Sequence, residues 1–130
     1  MTILGQAQQM LASIGIEDPA HYMGPLVRAA VDNALASGEG ALTGPVARGD
    51  AGTVAAHMRA LGEYAQGEKT GDITDSYAAL AHATAKRAHN RGLLNDEQLE
   101  RIESLVEPSA NVEYTGDTDD SAPENKEFSS

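Results

Sequence analysis

Five side chains in this sequence have types and spacing that could do chemistry: Asn33, Thr43, Arg48, Asp50 and His57. Four of them sit in or just after the connector Ala41-Leu-Thr-Gly-Pro-Val-Ala-Arg-Gly-Asp50. Gly44-Pro45 restricts the backbone to an extended or turn conformation ahead of the proline. Gly49 is free to take positive φ, and Asp50 is a good helix cap. A guanidinium such as Arg48 beside a helix N-terminus can hold a carboxylate or phosphate, with backbone N–H groups assisting. Arg48 is therefore the candidate for an anionic substrate group. His57, about two turns into the helix that Asp50 caps, is the residue near this loop suited to proton transfer. The plainer alternative is a well-made loop, with Arg48 paired to a local acid and His57 a core or interface residue.

Other constellations fail on spacing. Gly38-x-Gly40-x-x-x-Gly44 is not a phosphate loop, because no strand precedes it and no βαβ unit surrounds it. His82 and His89 share a helix face but lie about two turns apart, without carboxylates at i±3 or i±4, so no metal site is expected. Asp72 and Asp75 read as capping residues. There is no Gly-x-Ser-x-Gly and no cysteine, which removes the nucleophile elbow, thiolate ligands and disulfides together.

Helices must position these residues. Ile3, Leu4, Ala7, Met10, Leu11 and Ile14 recur at helical spacing over residues 2–14. A second helix starts at the Asp18 cap with Pro19 at its first position. It carries Tyr22, Met23, Leu26, Val27, Ala30, Val31, Ala34 and Leu35 on one broad face until Ser37-Gly38, with Pro25 near its entry. Asn33 on this helix is expected to face water. The third opens at Asp50, with Val54, His57, Met58, Leu61 and Tyr64 or Ala65 directed inward. After a loop over 67–71, Asp72 or Thr74 caps a fourth helix through Tyr77, Leu80, Ala81, Thr84, Ala85 and Ala88. The fifth begins at an Asn95–Gln98 capping box, with Leu94 and Leu99 as a hydrophobic staple. No strand-length alternation and no internal repeat occurs. The expected fold is all-α, with about five helices.

Composition bounds the rest. The 130 residues suit one domain, residues 1–107, whose core is built from aliphatic side chains since only four Tyr and one Phe are present. Of the net charge of −11, six negative charges belong to residues 107–130. With low hydrophobicity, 108–130 reads as a disordered acidic tail. Lys86, Arg87 and Arg91 form the one basic cluster, so nucleic acid is not an expected partner. No apolar run spans a membrane and no secretory signal opens the chain, which points to the cytoplasm.

The runs Gly24–Leu35 and Ala41–His57, continued by Tyr77–Ala88 and Gly92–Val106, closely resemble one bacterial domain. The Leu42-Thr-Gly-Pro-x-x-Arg-Gly-Asp50 connector is the most specific part. The chain resembles, over about residues 3–106, the helical C-terminal domain of Rossmann-like oxidoreductases of unassigned substrate. That domain is similar to the C-terminal helical domains of 6-phosphogluconate dehydrogenase-like and pyrroline-5-carboxylate reductase-like enzymes. The resemblance implies a substrate-lining and dimer-forming domain, with Asn33 and His57 toward a cleft and Thr43, Gly44, Arg48 and Asp50 at its rim. NAD or NADP is implied for a full-length relative; no cofactor is expected on this chain, which has no βαβ unit. A first helix that starts at Thr2 without a cap is what truncation of a longer helix would look like. The expected partner is a second copy or a separate Rossmann-fold domain, and activity alone is not expected. A non-enzymatic interaction module, or a truncated gene remnant, is the alternative.

Overall fold

Capping chemistry sets most of the element boundaries. The computed structural model describes residues 1–68 and 71–107; the tail expected over 108–130 lies outside them. Five α-helices follow in order: α1 Thr2–Ser13, α2 Pro19–Ser37, α3 Ala51–Glu68, α4 Asp72–Asn90 and α5 Asp96–Val106. A single 3-10 turn, Gly38–Ala41, follows α2, and no strand occurs among the described residues. The fold is all-α. Asp18 accepts the His21 amide at 3.0 Å, with Pro19 in the first turn. Asn95 and Gln98 complete the reciprocal capping box of α5, at 2.8 and 3.0 Å.

Two boundaries differ from the sequence reading. α3 runs on through Gly67 to Glu68, so helix occupies the start of the expected loop. α4 is capped by Gly71 with no side-chain cap bond, and neither Asp72 nor Thr74 serves. Asp72 instead accepts from Gln6 Nε2 at 2.8 Å, and the Thr74 hydroxyl reaches the Leu61 carbonyl at 3.4 Å. Asp72 and Asp75 still stand in the first turn of α4, where the helix dipole favours negative charge.

The core is narrow and lies in the later part of the chain. Val46, Ala47, Val54, Ala81, Ala85, Ala88, Leu94, Ile102 and Val106 form one buried cluster. The alanines on α4 let α3 and α5 approach closely, and Val54 and Ile102 are fully buried against them. Two histidine–carboxylate contacts tie α5 to α4: His89 Nε2 to Asp96 Oδ1 at 2.7 Å, and His82 Nδ1 to Glu103 Oε1 at 3.8 Å.

α1 and α2 stand apart from that core. The one buried residue of α1 is polar, Gln6, while Ile3 and Ile14 are exposed. α2 has no buried residue at all. Its backbone packs on α1 and the 3-10 turn and on no other helix. Tyr22, Leu26, Val31 and Leu35 are exposed, Leu35 at 82%. Pro25 lies inside α2 and leaves the His21 carbonyl without its helical donor. Glu39, just past the helix, pairs with Arg87 of α4 and anchors that end.

Candidate functional site

The connector folds as one helical turn followed by a sharp reversal. Arg48 N donates to Gly44 O, Gly49 N to Val46 O at 3.0 Å, and Asp50 N to Pro45 O at 2.9 Å. The last two bonds, with Gly49 at φ +69°, make a Schellman closure of that turn. A Cβ on Gly49 would meet the Gln98 amide at 2.9 Å and Leu94 at 3.1 Å, so α5 presses directly on the reversal. The turn drives Val46 and Ala47 into the core and leaves Thr43, Arg48 and Asp50 exposed.

Asp50 then starts α3. Its Oδ1 accepts the Thr53 amide at 3.0 Å, and the Thr53 hydroxyl donates to Oδ2 at 2.7 Å. Those two bonds, with the hydroxyl dominant, hold its carboxyl below the ordinary value of 3.8; Arg48 and His57 add attraction and partial desolvation opposes it. Asp50 is a cap first.

His57 departs from its expected position. It is exposed rather than inward, because the buried side of α3 is centred on Val54 and Leu61. Its ring stands edge-on to Tyr77 of α4, with centroids 5.7 Å apart and planes at 81°. Nδ1 is 2.9 Å from the Tyr77 hydroxyl. Burial pushes the Tyr77 phenol above its ordinary value of 10.0. Thr43, Pro45, Val46, His57, Tyr77, Leu80, Ala81 and Thr84 line a recess of about 270 Å³ at this point.

The structure thus brings Thr43 and His57 together in one recess and adds Tyr77 and Thr84, which the sequence reading placed on the inner stripe of α4 without a chemical role. Their spacing of seven was the available signal, since it stacks them on one helix face. Gly44 is half-buried and serves the turn. Arg48 does not line the recess and forms no ion pair among the described residues. Asn33 is exposed on α2, whose backbone makes no close approach to α3.

Two other cavities carry less chemistry. A groove of about 720 Å³ between α3, α4 and α5 contains Asp75, His82 and Glu107 around apolar walls. A cleft of about 570 Å³ between α1, α2 and α3 is apolar apart from Ser13 and the two tyrosines Tyr22 and Tyr64. Among the described residues no group of three or more His, Asp or Glu side chains could hold a metal ion. No helix there is long and apolar enough to cross a membrane.

The sequence pattern of the family described as Domain of unknown function (DUF2520) matches residues 1–84, well over half of the chain. The chain belongs to that family. The DUF2520 match contains the connector, His57, Tyr77 and Thr84, so the whole recess lies within it. It ends inside α4, before the α5 residues Ile102 and Val106 that close the core. No curated protein and no solved structure matches the chain.

Proposed function

We propose that this chain is the substrate-lining and dimer-forming helical half of a nicotinamide-dependent oxidoreductase, and that it acts with a nucleotide-binding domain rather than alone. The observation that carries the reading is the exposed apolar surface of α2: Tyr22 and Leu26 near its start, and Val31 and Leu35 half a turn round the helix from them, stand exposed on a helix that contributes nothing to the core. Large exposed apolar side chains gathered on one helix mark it as a candidate interaction surface. The Thr43–His57 recess supplies polar groups for a small substrate, and Arg48, exposed and outside any ion pair among the described residues, is available to an anionic group. The resemblance of the connector and its flanking helices to the C-terminal domains of Rossmann-like oxidoreductases supplies the reaction class.

Light scattering on the full chain, alone and mixed with a separate nucleotide-binding domain of the Gly-x-Gly-x-x-Gly type, tests the reading. A homodimer or a stable complex is expected, with NADH or NADPH bound by the complex and not by this chain alone. A monomer at high micromolar concentration, with no affinity for such a domain, overturns it in favour of a different interaction role. Saturable micromolar binding of NADH to the isolated chain also overturns it.

A further inference from the structure

We propose that the Thr43–His57–Tyr77–Thr84 recess is a binding site for the carbonyl or carboxylate oxygen of a small ligand. His57 Nε2–H is its principal donor and Tyr77 is the positioning residue that keeps it one. The inference uses only the geometry of this chain and stands whether or not a nucleotide-binding domain is the partner.

A neutral imidazole carries one N–H, and the partner of one ring nitrogen decides the role of the other. His57 Nδ1 has the Tyr77 hydroxyl at 2.9 Å, and Nε2 has no protein partner among the described residues. Two arrangements satisfy that contact. If Tyr77 donates to Nδ1, that contact is made and Nε2 carries the ring hydrogen, which is left to solvent or a ligand. If Nδ1–H donates to the phenol oxygen instead, the phenolic hydrogen has no other protein acceptor among the described residues, on a half-buried ring. Each arrangement leaves one hydrogen to solvent or a ligand; the first is favoured because the phenol O–H is the stronger donor and the imidazole nitrogen the stronger acceptor. Protonation of His57 does not reverse the outcome, because the phenol oxygen then accepts Nδ1–H while Nε2–H remains. Tyr77 accommodates either state of Nδ1, and in both the recess is offered a donor.

The surroundings suit an oxygen acceptor of modest size. Val46 and Ala81 are buried against the apolar wall, and Thr43 and Thr84 are among the residues that line the space of about 270 Å³. No carboxylate lines the recess to repel an anionic oxygen. The edge-on packing of His57 against Tyr77 reduces the ring's freedom before a ligand arrives, which lowers the entropic cost of binding.

Long-range proton–nitrogen spectra of the histidine rings report the tautomer directly. In the wild-type chain His57 is expected as the Nε2–H tautomer almost entirely. Tyr77→Phe, which keeps the ring and removes the hydroxyl, is expected to give a mixture of both tautomers with an unchanged circular dichroism spectrum. Sodium acetate, titrated against sodium chloride at equal ionic strength, is expected to move the His57 ring and the Thr43 and Thr84 amides saturably. The same titration of Tyr77→Phe should show at least threefold weaker affinity. An Nδ1–H tautomer in the wild type, an unchanged tautomer in Tyr77→Phe, or acetate shifts no larger than those of chloride each overturn the proposal. None of these outcomes bears on dimer formation or nucleotide binding, so the two readings fail separately.

Discussion

Gln6 Nε2 donates to Asp72 Oδ2 at 2.8 Å across 66 residues of chain, and to Ser76 Oγ at 2.9 Å. This polar clamp holds α1 against the start of α4. It replaces the apolar contact that an amphipathic helix would ordinarily use, since Gln6 is the one residue of α1 that is buried. Hydrogen bonds to charged groups are worth more than neutral ones, about 1.5–3 kcal/mol. Gln6→Ala is expected to lower the unfolding free energy by roughly 1–3 kcal/mol and to speed amide exchange in α1 before α4. Urea denaturation with hydrogen exchange checks it; slow exchange in α1 of the variant would contradict it.

Glycine has opposite roles at two positions. At Gly49 the backbone is left-handed and the space is filled by Gln98 and Leu94. Gly49→Ala is expected to cost about 1–3 kcal/mol from the left-handed backbone of a residue with a Cβ. At Gly62, inside α3, a Cβ meets nothing within 4 Å. Gly62→Ala is expected to stabilise by about 0.5–1 kcal/mol through helix propensity. Chemical denaturation of the pair should move the midpoints in opposite directions.

Asp50 makes stability depend on acid. Its folded value lies below the ordinary 3.8, chiefly through the Thr53 hydroxyl and amide. The unfolded chain therefore binds this proton first as pH falls. The stabilisation is fully present above the ordinary carboxylate value and is lost as pH falls through the lower folded one. Asp50→Ala is expected to lower the melting temperature at neutral pH by several degrees and to flatten the fall in melting temperature below pH of about 4. An acid profile parallel to that of the parent chain would contradict the assignment.

The Tyr64 hydroxyl is buried without a hydrogen-bond partner among the described residues. An unmatched buried donor costs about 1–3 kcal/mol. Tyr64→Phe removes the hydroxyl and keeps the ring, and is expected to raise stability by about 1 kcal/mol. Thermal unfolding of the variant at matched concentration decides it, and a lowered melting temperature would contradict it.

Local chemistry was legible in the sequence and distant pairing was not. Asp18-Pro19, Asp50 and the Asn95–Gln98 box each report a helix start within four residues, and all three appear as expected. At α4 the same logic fails, because the Asp72 carboxylate has a partner 66 residues away and no local pattern encodes it. His82 and His89 find carboxylates on α5, and Tyr77 finds His57 on α3, through the packing of helices rather than spacing along one. His57 shares the helical spacing of Val54, Met58 and Leu61, but a helical stripe is wide enough that its edge residue can lie at the rim. Periodicity also marked the apolar face of α2 without saying whether anything covers it. The recess was half visible, since Thr43 and His57 belong to the connector and the helix that follows it, while Tyr77 and Thr84 lie on another helix.

The separation of α2 from the core has a thermodynamic consequence. A partner that seats on the exposed apolar side chains of α2 stabilises the arrangement of that helix which it binds by mass action, about 2.7 kcal/mol at one hundred times its dissociation constant. The core of α3, α4 and α5 has no share in that contact. Melting should then report two quantities: one fixed by the aliphatic cluster, and one that rises with the concentration of whatever binds α2.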